Sequence, residues 1–312
     1  GREILMRLIA TADVLTENFR PGVALKLGLD WDRLKGLNPR LIYCSISGFG
    51  QTGKFRDYPA IEWSVQAISG ITDTYVAADT NPRRLGISIL DPFAGYMGFA
   101  SIMAALLQRH RTGTGQRIDV GMFDAGWVLN ATSVTDMLGG SPPVSATLRA
   151  SAARFMAQDR PLFISVIWPK WFAALCEIIG AHELASDPRF ADEKARNANG
   201  DALMAAIEEK LKARPAAEWE ALFVARGIPA GVVRTVPEVA REIDPIERGL
   251  VQPVQLSDGT TVNIVGSGFR FEHEAPRLQG GVPALGEATD SVLTALGYSA
   301  ADIARLRRTG VI

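Results

Sequence analysis

Asp91 is the residue whose position most clearly allows chemistry, because its carboxylate stands in an otherwise apolar stretch. Residues 85–90 predict the end of a buried strand, and residues 93–110 predict a long apolar helix. The carboxylate should therefore lie beside a helix N-terminus, where unpaired backbone N–H groups stabilise an anion. Asp91 could act as a nucleophile, or it could be a helix cap, since Pro92 suits the first helical position. This segment alone favours the cap.

The cysteines do not indicate a second functional site. The two cysteines, Cys44 and Cys176, fall in apolar runs, and their spacing suggests neither a metal site nor a disulfide framework. Both are predicted to be small buried side chains. We therefore expect no metal site.

Length and charge limit the class of protein. The chain has 312 residues, of which 47% are hydrophobic, so it can bury a sizeable core and should contain more than one structural unit. The 33 basic and 34 acidic residues nearly cancel, which argues against binding to nucleic acid or to a membrane surface. No apolar run reaches membrane-spanning length and the first residues do not form a signal peptide, so a cytoplasmic protein is expected.

Short apolar strands alternate with helices over the first 138 residues. Strands are predicted at 12–15, 41–46, 85–90 and 117–120, and helices at 1–10, 31–37, 61–69, 93–110 and from residue 123. Such alternation is typical of an α/β domain with a parallel or mostly parallel sheet.

The remainder of the chain changes character. Residues 139–152 predict a linker, and residues 153–228 predict a small α+β domain. Residues 229–312 are expected to form a loop-rich return linker, with a hairpin at 254–265, and a C-terminal segment that packs on the large domain.

Six stretches, in their order and spacing, resemble the class III coenzyme A transferases, the CaiB/BaiF family of formyl-CoA transferase and carnitine CoA-transferase. They are residues 12–22, 38–43, 45–53, the segment around Asp91, residues 111–116, and a C-terminal half with matches at 187–190, 283–286 and 296–298. Family members begin with a further strand–helix pair that helps to bind CoA, and the resemblance starts here after that pair. The resemblance implies a Rossmann-like large domain (residues 1–138), a small α+β domain, and a homodimer of two interlocked, ring-like chains.

The resemblance also implies a reaction, with Asp91 at the position of the catalytic aspartate. That carboxylate attacks an acyl-CoA thioester, forms a mixed anhydride and then an aspartyl-CoA thioester, and finally passes CoA to an acceptor acid. Acyl-CoA and a free carboxylic acid are thus the expected substrates, and no tightly bound cofactor is expected. With the family considered, the nucleophile is favoured over the cap.

Two further segments match family positions that contact CoA. These expected contacts are Asn18, Phe19, Arg20 and Lys26 in the first segment, and Ile46, Ser47, Gly48 and Phe49 in the second. A cation at residue 26 suits nucleotide phosphates, although lysine binds them as a point charge where arginine would bind as a fork. The alternative is that Arg20 and Lys26 are ordinary solvated charges and that residues 46–49 form a plain strand-to-helix turn.

Two other functions stay open at this point. A related acyl-CoA racemase needs a histidine as the second acid or base, and that position is occupied by Ile61. The three histidines, His110, His182 and His273, are expected at a helix end and in loops. The racemase is therefore disfavoured, and the remaining alternative is a catalytically impaired CoA-binding remnant.

Overall fold

A computed structural model describes residues 1–74, 86–140, 152–165, 169–256, 258–273, 281 and 283–312. The chain divides into two compact units. The first contains Gly1–Gly139 and Pro283–Ile312, and the second contains Gly140–Val282.

The first unit is built on a parallel sheet of three strands, β1 (Val14–Glu17), β2 (Ile42–Ser47) and β3 (Gln116–Gly121). The strands lie in the order β1-β2-β3, with β2 in the centre and Cys44 level with Thr16 and Ile118. The central strand is almost wholly buried, which explains its continuous apolar run. The strands predicted at 12–15, 41–46 and 117–120 are confirmed, with ends shifted by a few residues.

The strand predicted at 85–90 is wrong over its described residues, 86–90. Residues 86–89 are not in a strand, and Leu90 is the first residue of a helix. The physical reason is that the backbone N–H groups of Ile89, Leu90 and Asp91 all donate to the carboxylate of Glu62. Donors held by a side chain are not available to a neighbouring strand.

Eight helices of the first unit precede residue 140 in the described ranges. They are α1 (Arg2–Thr11), α2 (Val23–Lys26), α3 (Trp31–Leu37), α4 (Glu62–Ser69), α5 (Ile71–Thr74), α6 (Leu90–Thr112), α7 (Met122–Leu129) and α8 (Ala131–Leu138). Helix α6 packs along β2 and β3, and Gly98 allows this close approach, because a Cβ there would lie 2.9 Å from Cδ1 of Ile46. Cys44, Leu90 and Val120 belong to the core between helices and sheet.

Helix α6 also corrects the expectation that no apolar segment is long enough to span a membrane. By length and composition alone, Leu90–Thr112 could do so. In the structure, Ala94, Gly98 and Ala105 are buried, and the helix contacts the parallel sheet, as a core helix of an α/β unit does.

The second unit has its own antiparallel sheet, formed by β4 (Ala152–Met156), β5 (Pro161–Ser165) and β6 (Ala230–Val232). Its helices are α9 (Pro169–Ile178), α10 (His182–Ser186), α11 (Glu193–Ala198), α12 (Gly200–Leu211), α13 (Ala216–Ala225) and α14 (Val236–Glu242), with a short 3-10 helix at Pro188–Phe190. Buried Phe190, Leu203 and Phe223 lie in its core. Strand β6 pairs with β5, so this unit extends beyond the expected boundary at residue 228.

Two more strands of the second unit form the predicted hairpin, β7 (Val251–Gln255) and β8 (Thr261–Val265). Residues 229–282 thus belong to this unit, where the sequence had suggested a return linker. Most of the linker expected at 139–152 lies outside the described residues.

The last two helices of the first unit are α15 (Thr289–Ala295) and α16 (Ala300–Arg308). The guanidinium carbon of Arg7 in α1 lies 4.6 Å from the ring centroid of Tyr298, a cation–π contact that ties the C-terminal segment to α1. Both cysteines are buried as predicted, and burial raises the pKa of each thiol to about 11, which makes them unreactive.

Candidate active site

A cavity of about 720 Å³ opens in the first unit, where the carboxyl ends of the parallel strands meet. Residues just after β1 and β2 contribute to its wall, and Met122 follows β3. Ligand sites of open parallel sheets occur at this edge. The cavity is therefore where the fold would place a substrate.

Eight of the nine residues predicted for the site line this one cavity. They are Asn18, Phe19, Arg20, Ile46, Ser47, Gly48, Phe49 and Asp91. Lys26 does not line it and lies at the end of the short helix α2. The structure thus brings the expected nucleophile and most of the expected CoA contacts to a common space.

The segment after β1 is held by a buried carboxylate, Glu17. Its Oε2 accepts the backbone N–H of Phe19 over 2.7 Å, and its Oε1 accepts the hydroxyl of Tyr43 over 3.3 Å. Glu17 and Tyr43 are both buried, whereas the ring of Phe19 is exposed. The short turn at the end of β1 is therefore fixed from inside the sheet, and it presents Phe19 to the cavity.

The segment after β2 is fixed by close packing. A Cβ on Gly48 would collide with the Cβ of Ala60, so the two stretches of chain can approach this closely only because residue 48 is glycine. Next to it, Phe49 packs against Phe55, Tyr58 and Phe123, with ring centroids 5.8, 6.1 and 6.3 Å apart. This aromatic cluster makes one side of the cavity rigid.

Asp91 is the second residue of α6, and its side chain is exposed to the cavity. The hydroxyl oxygen of Ser88 lies 3.4 Å from its Oδ2. The residue at the cap position of α6 is Ile89, whose side chain makes no capping hydrogen bond. Asp91 is therefore not the cap of this helix, and its carboxylate faces the space that a substrate would occupy.

The cap is Glu62, the first residue of α4, which the sequence analysis had not identified as functional. Its Oε1 accepts the N–H groups of Ile89 over 3.0 Å and Leu90 over 2.9 Å, and its Oε2 accepts that of Asp91 over 2.7 Å. Two side chains add to this, Gln66 at 2.6 Å from Oε1 and Ser88 at 2.8 Å from Oε2. The N–H groups expected to stabilise Asp91 are thus occupied by a second carboxylate.

Glu62 remains charged although it is only 6% exposed. Burial acts to raise its pKa, but hydrogen bonds from Leu90, Asp91, Gln66 and the Ile89 backbone outweigh burial and lower the pKa to about 2. The sequence carried one signal for this residue, a glutamate at the start of an apolar helix with a glutamine one turn later. Its partners 27–29 residues away could not be read from that pattern.

The cavity wall carries charges of both signs, and its positive side chains could bind an anionic ligand. Arg20 and Arg56 supply positive charge, and Glu62 and Asp91 supply negative charge. Within the described ranges, no group of three or more His, Cys, Asp or Glu could hold a metal ion.

The sequence is similar to a known protein family and to curated enzymes. A family model described as CoA-transferase family III matches residues 1–289. An acetyl-CoA:oxalate CoA-transferase of Acetobacter aceti is 40% identical over 294 residues, covering 92% of this chain and 74% of the relative. A succinate–glutarate CoA-transferase of Agrobacterium fabrum is 32% identical, covering 95% and 75%.

Solved structures agree with this relationship. A CAIB/BAIF family protein from Brucella suis superposes with a TM-score of 0.79 and 34% sequence identity, covering 95% of this chain and 78% of the other. Both the α/β fold with a parallel sheet and the family expected from the sequence are confirmed. The chain belongs to CoA-transferase family III.

Proposed function

We propose that the protein moves CoA from an acyl-CoA donor to a free carboxylic acid, with Asp91 as the covalent nucleophile. The observation that carries the proposal is that the exposed carboxylate of Asp91 shares one cavity with Asn18, Phe19 and Arg20. A thioester bound along that wall would lie within the same cavity as the carboxylate, as covalent catalysis requires.

The reaction proceeds by four substitutions at acyl carbons. A carboxylate oxygen of Asp91 attacks the thioester carbonyl, the C–S bond breaks, and CoA leaves as a thiolate with the bonding electrons. The thiolate attacks the aspartyl carbonyl of the resulting anhydride and releases the first acid as its carboxylate. The acceptor carboxylate then attacks the aspartyl-CoA thioester and again expels the thiolate. Attack of the thiolate on the acceptor's carbonyl forms the new acyl-CoA and restores Asp91, with no net proton transfer.

CoA itself is proposed to lie against the segments that follow β1 and β2. Arg20 would face a phosphate, and Gly48 and Phe49 would contact the pantetheine arm or the adenine. Lys26, outside the cavity wall, is proposed to contact the nucleotide phosphates from the end of α2. The named relatives act with oxalate, succinate and glutarate, so short dicarboxylic acids are the first acceptors to test.

The structure gives further reasons to disfavour the racemase alternative. Such an enzyme needs a second proton carrier near the reacting carbon. Ile61 occupies the histidine position, and none of the three histidines lines the described cavity wall. The neighbouring acid, Glu62, accepts five hydrogen bonds and has a pKa of about 2, which makes it a poor base.

A homodimer is also proposed, with two interlocked chains. Support comes from exposed apolar side chains on the first unit, including Met103 and Leu107 on α6 and Leu138 at the end of α8. Burying such a surface in a partner chain would stabilise both copies. Light scattering should give twice the chain mass of 33.6 kDa and should continue to do so on dilution. A stable and active monomer would refute the proposed dimer.

The function is tested by CoA exchange between donors and acceptors. Acetyl-CoA and succinyl-CoA are each incubated with oxalate, succinate or glutarate, and new acyl-CoA species are separated by chromatography. Transfer by the wild type and its loss in Asp91→Asn support the proposal. A protein that binds CoA but transfers it to no acid would support the impaired remnant, and inversion of a chiral acyl-CoA without transfer would support the racemase.

A further inference from the structure

We infer that Glu62 is the positioning residue of this site, which fixes the first turn of α6 and so aims the carboxylate of Asp91 at the substrate. The inference rests on the proposed function, because it assigns a purpose to Glu62 only if Asp91 is the nucleophile. It concerns a residue that neither the sequence motifs nor the reaction steps require.

The two oxygens of Glu62 have separate tasks. Oε1 holds the helix end, since it accepts the N–H groups of Ile89 and Leu90 and is itself held by the Gln66 amide. Oε2 accepts the N–H of Asp91 over 2.7 Å, so it is bonded directly to the main chain of the nucleophile. Because Glu62 begins α4, it joins α4 to the start of α6 at the cavity wall.

Among the described residues around the start of α6, none could replace this interaction. A helix end normally obtains its capping oxygen from the residue at the cap position, but Ile89 has none to offer. The remaining polar neighbour, Ser88, is itself bonded to Glu62. Without Glu62, the N–H groups of residues 89–91 would have to find water in the cavity, and the first turn of α6 would lose its fixed position.

Ser88 connects the two carboxylates and strengthens the inference. Its hydroxyl lies 2.8 Å from Oε2 of Glu62 and 3.4 Å from Oδ2 of Asp91. One hydroxyl carries one hydrogen, and the shorter distance directs it to Glu62. Glu62 therefore keeps that donor away from Asp91, and a carboxylate with fewer hydrogen bonds is less stabilised and more reactive as a nucleophile.

Glutamine has the same shape as glutamate, but it has no charge and replaces one acceptor oxygen with an NH₂ donor. The side-chain amide of Glu62→Gln could take two orientations. With its NH₂ group at the place of Oε1, it would face three hydrogen-bond donors. With the NH₂ group at the place of Oε2, it would face two donors, the N–H of Asp91 and the hydroxyl of Ser88. The second orientation leaves fewer donors opposed, so the hydrogen bond from the Asp91 N–H is the one that breaks. Glu62→Asp keeps the charge but is one methylene too short to reach all its partners.

The test measures kcat and KM for acyl-CoA in the wild type, Glu62→Gln and Glu62→Asp. We expect kcat to fall by about 10²-fold in Glu62→Gln, because misplacing a reacting group by about 1 Å costs that much, while KM for acyl-CoA stays within about twofold. Glu62→Asp should lose kcat in the same direction at unchanged KM, and it decides the question if Glu62→Gln does not fold.

The matched control is Glu238→Gln in the second unit. Glu238 also accepts capping hydrogen bonds, from the backbone N–H and hydroxyl of Thr235, and its pKa is likewise lowered to about 2. It lies far along the chain from the site, and its loss should leave kcat unchanged. Folded protein is quantified by circular dichroism, so that kcat refers to folded molecules in every variant.

The outcomes distinguish this inference from the proposed function. Wild-type kcat in a folded Glu62→Gln or Glu62→Asp variant, together with an inactive Asp91→Asn variant, overturns the positioning role and leaves the nucleophile intact. Full activity of Asp91→Asn overturns the proposed function itself. A fall in kcat that only matches a fall in folded protein, as in a purely structural role, also overturns the inference.

Discussion

The backbone N–H of Asp91 donates a hydrogen bond to Oε2 of Glu62 over 2.7 Å, so two acidic residues of one cavity are joined across 29 positions of sequence. The buried carboxylate accepts the helix-end donors, and the exposed one is left facing the cavity. Two carboxylates close together can thus have different roles because their surroundings differ.

The first prediction concerns the nucleophile. Asp91→Asn should fold normally and lose CoA exchange, because the amide keeps the shape of the side chain but cannot attack a thioester. Wild-type protein incubated with acyl-CoA and then with borohydride should be modified at Asp91, as read by peptide mass spectrometry. Modification of another residue, or unchanged turnover in the Asn variant, would contradict the assignment.

The second prediction concerns recognition of CoA. Lys26→Glu should raise KM for acyl-CoA and weaken binding of free CoA by similar factors, because a negative charge repels the nucleotide phosphates. The ratio of rates with different acceptor acids should not change, since the phosphates are remote from the acyl group. Lys35→Glu on α3 is the control, and an equal effect of both variants would show only a change in overall charge.

The third prediction concerns the close approach of Gly48 and Ala60. Gly48→Ala should lower the free energy of unfolding by about 1–3 kcal/mol and should raise KM for acyl-CoA, because the added methyl collides with the Ala60 side chain in the cavity wall. Adding Ala60→Gly should restore both quantities. Chemical unfolding and initial rates measure them, and a double variant no better than Gly48→Ala would exclude this cause.

The fourth prediction concerns pH and Glu62. Its pKa is lowered from 4.5 to about 2 on folding, so its contribution to stability is complete above about pH 4.5 and is lost as the pH falls toward 2. By this pKa shift, ionised Glu62 contributes at most about 3 kcal/mol to the free energy of unfolding. The difference in free energy of unfolding between wild type and Glu62→Gln should therefore shrink between pH 5 and pH 2. A difference that stays constant over this range would show that Glu62 is not selectively stabilised as an anion.

Much of the fold could be predicted from local patterns. The continuous apolar run of β2 predicts a strand buried on both faces, and the described residues confirm it. Helix α3 is likewise predicted by the apolar spacing of residues 31–37. These features depend on residues close together in sequence, and so the sequence alone determined them.

The residues near Asp91 show where local patterns fail. Residues 85–90 predicted a strand, but Leu90 is the first residue of α6. A short apolar run cannot distinguish a buried strand from a helix start. Here the helix start is fixed by Glu62, which accepts the backbone N–H groups of residues 89–91. The side chain that directs this choice is distant in sequence.

The candidate site divides in the same way. The sequence by itself identified Asp91 as a candidate nucleophile, and its resemblance to the family predicted Asn18, Phe19 and Arg20 as CoA contacts. Only the tertiary structure decided that these residues line one cavity, that Lys26 lies outside its wall, and that Glu62 caps α6. The reason is physical, since a parallel sheet brings the ends of strands that are distant in sequence to a single edge, and no local pattern records that meeting.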